Sequence, residues 1–259
     1  YVDGDLSEWM EEDKLFDTGT RALSMKYDEK FIYLLAYEKG FANGQKMLYI
    51  PIDTTPKTGS TYCKNYGLRF KDPVDFVLAI DGRDNSRLLV QERYEVLRAM
   101  FYHETDDADA YLDPPDADTP LFKPIDLMLQ TATPLLTGNW QASSETYETG
   151  DLAYGNANPA APDYDSLADF LFAGDYVELK LPWQLLNFAD PSRMTIHDDY
   201  YENYGVDYIT IDTMYLGLTD GAAQERTPLY PAALKGWGNT VSYHERLKPS
   251  YYILQKLWQ

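Results

Sequence analysis

The chain has 259 residues, 44% of them hydrophobic, and its 42 Asp and Glu against 22 Lys and Arg give a formal charge of −20. This excess of carboxylates repels phosphates, so it argues against nucleic acid and anionic membranes as partners. It suits a soluble extracellular protein, although acidic cytoplasmic proteins are also common. A single cysteine, Cys63, excludes an internal disulfide and a cysteine-rich metal site. No run of 18 apolar residues occurs, which predicts no membrane insertion.

The chain opens with YVDGDLSEW, an acidic turn that ends in a tryptophan. A disordered acidic tail has no use for Trp9, and a signal peptide has a basic start and an apolar middle instead. The stretch therefore predicts a fold that begins at residue 2, with Trp9 in a structural role. It also indicates that the chain is one module of a longer polypeptide.

Alternating and apolar runs next predict β-strands. Residues 21–27 and 31–37 flank Asp28-Glu29-Lys30 and predict a β-hairpin. The second arm is apolar on both faces, which favours a central position in a sandwich. Further strands are predicted over residues 46–50, 74–80, 86–100, 176–181, 206–218 and 240–247.

Residues 102–173 differ from the rest, because Pro, Asp, Asn, Gly and Ser are dense there and apolar periodicity is weak. This composition predicts a long, loop-rich, irregular insertion without a core of its own. Residues 249–258 predict a short C-terminal helix. The whole pattern predicts an all-β fold, an antiparallel β-sandwich of immunoglobulin-like or jelly-roll type that spans residues 1–259 as a single domain.

Aromatic residues are abundant, with 23 Tyr, 10 Phe and 5 Trp. Tyrosine suits half-buried sheet surfaces. Aromatic faces also stack on the C–H faces of sugar rings, while acidic and amide side chains bind sugar hydroxyls. The composition is therefore compatible both with a simple β-sheet protein and with carbohydrate binding.

Four stretches, in order, resemble family 9 carbohydrate-binding modules and the related DOMON-like sandwiches. They are VDGDLSEW at residues 2–9, MKYDEKFIY at 25–33, YIPID at 49–53 and VELKLPW at 177–183. The chain also resembles the C-terminal region that follows a glycosidase-like barrel in some secreted bacterial proteins. The resemblance implies a sandwich, an upstream catalytic domain in the same polypeptide, and a secreted or cell-surface location.

The resemblance further implies that a sugar is held between two aromatic rings. Trp237, between two glycines, matches the ring that precedes the last strand of the family. No Trp stands at the place of the other ring. Tyr62 and Tyr66 are the nearest substitutes, with Asn65 and Arg69 beside them.

A separate aromatic platform is predicted at Trp140, within the insertion. For both tryptophans the alternative is a structural role, in which Trp237 anchors a loop.

Structural calcium is also implied by the resemblance. Asp53 ends a strand before a Thr-rich turn, which suits a calcium ligand beside Asp3 or Asp5. The acidic stretch 103–118 lacks the spacing of a calcium-binding loop and is interpreted as a solvated loop. His197 and the carboxylates that follow it favour a structural or rim role, because adjacent residues do not aim at one substrate.

Together these features predict a non-catalytic accessory domain that binds an oligo- or polysaccharide by aromatic stacking. One alternative is a packing domain without a ligand of its own. A second is a domain that contributes carboxylates to a glycoside hydrolase active site. Haem binding, as in some DOMON-like sandwiches, is a third and weaker one.

Overall fold

A computed structural model describes residues 1–96, 114–131, 137, 145–202, 207–222, 225–238 and 249–258. The first half of the chain forms β1 Lys14–Asp17, β2 Arg21–Tyr27, β3 Phe31–Glu38, β4 Leu48–Asp53, β5 Ser60–Cys63, β6 Leu68–Val74, β7 Phe76–Ile80 and β8 Arg87–Gln91. The second half forms β9 Phe122–Pro124, β10 Asp126–Gln130, β11 Glu145–Glu148, β12 Phe170–Ala173, β13 Tyr176–Pro182, β14 Phe188–Asp190, β15 Thr195–His197, β16 Tyr208–Thr210, β17 Thr213–Leu216 and β18 Tyr230–Ala233. A short α-helix, α1, covers Pro249–Leu257.

Two antiparallel sheets form the body of the protein. The first has the strand order β1-β2-β3-β13-β12, and the second has the order β18-β17-β4-β7-β8-β9. Smaller sheets pair β5 with β6 and β10 with β11, and a three-stranded sheet has the order β14-β15-β16. The prediction of an all-β, antiparallel sandwich with a short C-terminal helix is confirmed.

The core lies between the two main sheets. The inward residues Ile32, Leu34 and Ala36 of β3 alternate with outward ones, and all three are fully buried. They share one apolar cluster with Ile50 of β4 and Leu78 of β7 in the opposite sheet. Period-two alternation thus assigns one face of each strand to the core and leaves the other face for other uses.

The outer face of the five-stranded sheet is crossed by the first 13 residues. Two 3-10 turns, Leu6–Glu8 and Glu11–Asp13, lead the chain over this face before β1 begins. The side chain of Glu178 on β13 is 1% exposed and accepts hydrogen bonds from the backbone amides of Asp3 and Gly4, both at 3.0 Å. The Glu178 carboxylate therefore ties the N-terminal segment to β13, and the buried Val2, whose carbonyl oxygen accepts from the Ala157 amide, is a second attachment.

The predicted irregular insertion, residues 102–173, contains two strands of the main sheets, β9 and β12. Strand β9 pairs with β8 at one edge of the six-stranded sheet. Strand β12 pairs with β13 at the edge of the five-stranded sheet, and its Phe170 and Phe172 join the core. The predicted strand 240–247 lies outside the described residues.

Candidate functional site

A groove of about 420 Å³ opens on the outer face of the five-stranded sheet, between the sheet and the N-terminal segment. We call it the outer groove. Its floor comes from β2, β3 and β13, and its rim comes from the segment before β1. It is lined by Leu6, Trp9, Met10, Glu11, Lys14, Asp17, Gly19, Ala22, Ser24, Leu35, Tyr37 and Tyr176.

Aromatic rings form the apolar part of the outer groove. Tyr37 on β3 and Tyr176 on β13 are directly opposite in register, and their ring centroids are 4.8 Å apart with a 38° interplanar angle. Ala22 is the partner of Tyr37 on the other side. This small neighbour leaves one flank of the ring without a large side chain across it. The two tyrosines make a tilted aromatic surface on the groove floor.

Trp9 supplies the third ring, from the rim. Its indole Nε1–H donates a 2.9 Å hydrogen bond to Glu178, and the ammonium group of Lys26 lies 4.3 Å from the ring centroid. These two contacts fix the plane of the indole, which is half-buried and lines the groove. The buried Glu178 carboxylate therefore positions both the Trp9 indole and the start of the chain.

Polar groups stand at the other rim of the groove. The ammonium group of Lys14 forms ion pairs with Glu11 at 2.9 Å and with Asp17 at 3.2 Å. These two carboxylates raise the pKa of Lys14 above its ordinary value. The buried Ser24 lies on the groove floor. The outer groove therefore combines aromatic faces with hydrogen-bond donors and acceptors of both charges.

Trp237 lies away from this groove. Its ring is 37% exposed and packs against the buried Trp183, with centroids 6.1 Å apart. The loop around it is pinned, because the Gly238 amide donates to the Ser192 carbonyl oxygen, at 2.9 Å. A Cβ on Gly236 would stand 2.4 Å from that same oxygen, so only glycine fits there.

The residues predicted as the second half of the clamp lie on the β5–β6 hairpin. Tyr66 packs on Tyr49, at the start of β4, with centroids 4.9 Å apart. Tyr62 stacks with the Arg69 guanidinium, at 4.9 Å. Asn65 donates to and accepts from the backbone of Phe122 on β9.

The hairpin and Trp237 are at opposite ends of the sandwich. Strand β18 runs antiparallel to β17, which is antiparallel to β4, so the loop after β18 emerges near the Asp53 end of β4. The hairpin tip contacts the Tyr49 end. The structure therefore does not bring Trp237 together with Tyr62 or Tyr66, and Trp140 lies outside the described residues.

The three predicted calcium ligands are also dispersed. Asp3 accepts from the Asp5 amide and from the Asn158 side chain, and Asp5 caps the first 3-10 turn by accepting from the Ser7 amide. Asp53 lies at the end of β4 in the opposite sheet. Within the described ranges no three His, Cys, Asp or Glu side chains converge as metal ligands. Residues 103–113 of the acidic stretch lie outside those ranges.

The stretch that begins at His197 is built into the structure. Arg93 pairs with Asp199 at 2.7 Å, and Lys57 pairs with Asp198 at 2.6 Å. The His197 ring nitrogen lies 3.0 Å from the Tyr200 hydroxyl, and burial lowers its pKa. These contacts are those of a structural cluster.

Comparisons with known proteins leave the family of the chain open. No protein-family model matches it, and no curated protein or solved structure matches it significantly. In the described part of the chain, no helix has the length and apolar character needed to span a membrane.

Sequence reasoning missed the outer groove. It assigned Trp9 a structural role and interpreted residues 31–37 as apolar on both faces. The available signal was the period-two placement of Tyr33, Leu35 and Tyr37 on one face of β3. The position of the N-terminal segment above that face depends on a contact across 169 residues, which no local pattern shows.

Proposed function

We propose that the protein is a non-catalytic carbohydrate-binding domain and that the outer groove is its binding site. The observation that carries this proposal is the arrangement of Trp9, Tyr37 and Tyr176 around one open groove that also holds charged and hydroxyl groups. Sugar rings offer apolar C–H faces and polar edges. A groove with aromatic walls and polar rims matches both features.

The groove lies on a rigid sheet, which favours binding with little loss of conformational freedom. Tyr37 and Tyr176 sit on paired central strands, and Trp9 is fixed by two contacts. Rings that are already fixed in place lose less conformational entropy when a ligand binds. A groove that is open to solvent and lined by several aromatic rings suits a segment of a glycan chain, so we propose an oligo- or polysaccharide as the ligand.

An accessory role in a larger secreted glycosidase-like protein follows from the sequence resemblance. In that arrangement the domain tethers a catalytic neighbour to its substrate and raises the effective concentration of glycan near it. The charge of −20 is compatible with an uncharged partner such as a neutral polysaccharide. We retain structural calcium as part of this proposal on the basis of the resemblance alone.

The test is titration calorimetry on the whole chain, preceded by a glycan-array screen to choose the ligand, with calcium and then with EDTA. Tyr37→Ala and Tyr176→Ala should each weaken binding by about tenfold, as expected for a central aromatic contact. Trp237→Ala is the control, and we expect its affinity to match the wild type.

Two outcomes contradict the proposal. Loss of binding in Trp237→Ala, with binding retained in Tyr37→Ala, moves the site to the loop after β18. No binding of the folded wild type to any glycan favours a domain that only packs against its neighbour.

A further inference from the structure

A second cleft, of about 400 Å³, lies in the other sheet, beyond the end of β4. We call it the β4 cleft. Its volume is within the range of small-molecule sites, roughly 300–1,000 Å³. Two chain segments face each other across it, one following β4 and one joining β16 to β17. Its walls include Asp53, Thr55, Thr210, Asp212, Thr213 and Tyr215.

A pair of carboxyl groups lies at the base of this cleft. Asp75 is fully buried and accepts four hydrogen bonds, from the amides of Thr54 and Thr55 and from the hydroxyls of Thr54 and Thr58, at 2.8–3.2 Å. Asp53, at the end of β4, lies near Asp75, and burial together with this neighbouring carboxyl group raises the pKa of Asp53. Two carboxyl groups this close repel each other less when one of them holds a proton.

The donors around Asp75 determine where that proton resides. Burial raises the pKa of Asp75 to about 6, and the four hydrogen bonds oppose this rise by stabilising its anionic form. Among the described residues Asp53 accepts from no comparable set of donors, so it is the carboxyl group of the pair that holds the proton. Burial and the neighbouring charge raise the pKa of Asp53, in keeping with this assignment. Asp53 therefore offers the cleft an uncharged carboxyl group.

The other residues around the cleft add an aromatic ring, a hydroxyl group and further negative charge. Tyr215 stands opposite Asp53 in register, and 42% of its surface is exposed. The Thr213 hydroxyl donates to the Asp212 carboxylate at 3.0 Å. Asp72 adds a further negative charge near Asp53. No Lys, Arg or His lines the described cleft, so an anionic ligand finds no counter-charge there.

We propose that the β4 cleft is a second ligand site, which takes a neutral hydroxyl-bearing molecule about the size of a single sugar ring. The Tyr215 ring packs on an apolar face of the ligand. Asp53 and Asp212 accept hydrogen bonds from its hydroxyl groups. The site belongs to the six-stranded sheet, so it operates independently of the outer groove in the five-stranded sheet.

The test is site-resolved NMR on the whole, isotopically labelled chain near pH 6. The probes are D-glucose, D-galactose, D-mannose and D-xylose, each titrated separately, without calcium and then with it. We expect at least one sugar to shift the amide signals of Thr55, Thr210 and Thr213. Signals of the outer groove, such as those of Gly19 and Ala22, report the other site separately.

Three variants define the chemistry. Asp53→Asn keeps an uncharged acceptor of nearly the same shape, so affinity should stay within about twofold of the wild type. Asp53→Ala should weaken binding by about tenfold, the effect of one well-placed hydrogen bond. Tyr215→Ala should weaken it by about fivefold or more, and it leaves the buried carboxylate pair intact.

Several results overturn the proposal. These are the absence of shifts at the cleft with every sugar, shifts that require calcium, or equal affinity of the wild type and Tyr215→Ala. Sugar shifts confined to the outer groove also overturn it, while they support the proposed function of that groove. Sugar-induced shifts at the β4 cleft without shifts at the outer groove support the second site and contradict the proposed function of the groove.

Discussion

The indole Nε1–H of Trp9 donates a 2.9 Å hydrogen bond to Oε1 of Glu178, 169 positions later in the chain. The other oxygen of the same carboxylate accepts from the amides of Asp3 and Gly4. Gly4 adopts a φ of +83°, a left-handed conformation that favours glycine. One buried side chain thus joins the start of the chain to a central strand and sets one wall of the outer groove.

Replacing Glu178 with glutamine should release the N-terminal segment. The new amide group would face at least one N–H donor, and the remaining bonds would lose their charge assistance. We expect the free energy of unfolding to fall by about 3 kcal/mol. Hydrogen exchange at the amides of Asp3 and Gly4 should become fast. Chemical denaturation and exchange measured by NMR check both effects.

Glu145→Gln is the matched control, because Glu145 is exposed on β11. We expect it to unfold like the wild type. Slow exchange at Asp3 and Gly4 in Glu178→Gln would show that other contacts hold the segment. The glycan affinity of Glu178→Gln should also decrease, because the Trp9 indole loses the hydrogen bond that orients it.

Trp183 and Trp237 should differ in their contribution to stability. Trp183 is fully buried, donates to the Asp28 carbonyl oxygen at 2.9 Å and touches Phe188. Trp183→Ala should lower the free energy of unfolding by about 3–5 kcal/mol, as large-to-small core changes do. Trp237→Ala should lower it by about 1 kcal/mol, because over a third of that side chain is already exposed.

Urea denaturation of the two variants measures this difference. Equal losses would mean that the loop around Trp237 contributes to the core as much as Trp183 does. A stability of Trp237→Ala equal to the wild type, together with lost glycan binding, would restore Trp237 as a ligand-binding ring.

Local patterns in the sequence predicted much of the fold. The hairpin of β2 and β3 was predicted from alternation and from the Asp28 turn, and both strands are present with a continuous register. Strand β13 was predicted from its strict alternation, and its apolar residues Val177, Leu179 and Leu181 are fully buried. The burial of Glu178 between them departs from that alternation, because the N-terminal segment covers the outer face at this point. These signals are local, because apolar and polar residues alternate along a strand that has one buried face.

The candidate site required information that local patterns lack. Strand β12, with Phe170 and Phe172, lies in a stretch rich in turn residues, and it becomes a strand by pairing with β13. Asp53 was predicted as a calcium ligand because the turn after β4 is visible in the sequence. Its neighbour Asp75 lies between β6 and β7, so the carboxyl pair appears only once β4 and β7 are paired.

Asn65→Ala should destabilise the protein without changing glycan affinity. The Asn65 side chain donates to the Phe122 carbonyl oxygen at 2.9 Å and accepts from the Phe122 amide at 3.0 Å, which joins the hairpin tip to β9. Loss of both bonds should lower the free energy of unfolding by about 2 kcal/mol. Denaturation and calorimetry, each compared with the wild type, measure the two quantities.

Asn85→Ala, in the exposed turn between β7 and β8, is the control for the loss of an amide side chain. It should leave both stability and affinity unchanged. A large loss of affinity in Asn65→Ala alone would place the ligand at the β5–β6 hairpin.

Asp53→Asn should flatten the dependence of stability on pH. Burial and the nearby Asp75 raise the pKa of Asp53 from its ordinary value of 3.8 to about 8 in the folded protein. Between these two values the folded chain holds a proton that the unfolded chain has released. This contribution to stability is therefore complete below about pH 4 and is lost as the pH rises to about 8.

Thermal melts of the wild type and of Asp53→Asn across this range check the effect. The wild type should lose Tm steadily between about pH 4 and pH 8. The variant should lose less, because its amide does not titrate while the buried Asp75 still does. Asp84→Asn, in an exposed turn, is the control for the removal of one carboxylate from a chain of charge −20. Parallel curves for all three proteins would show that Asp53 is ionised in the folded state, since only a retained proton makes its replacement depend on pH.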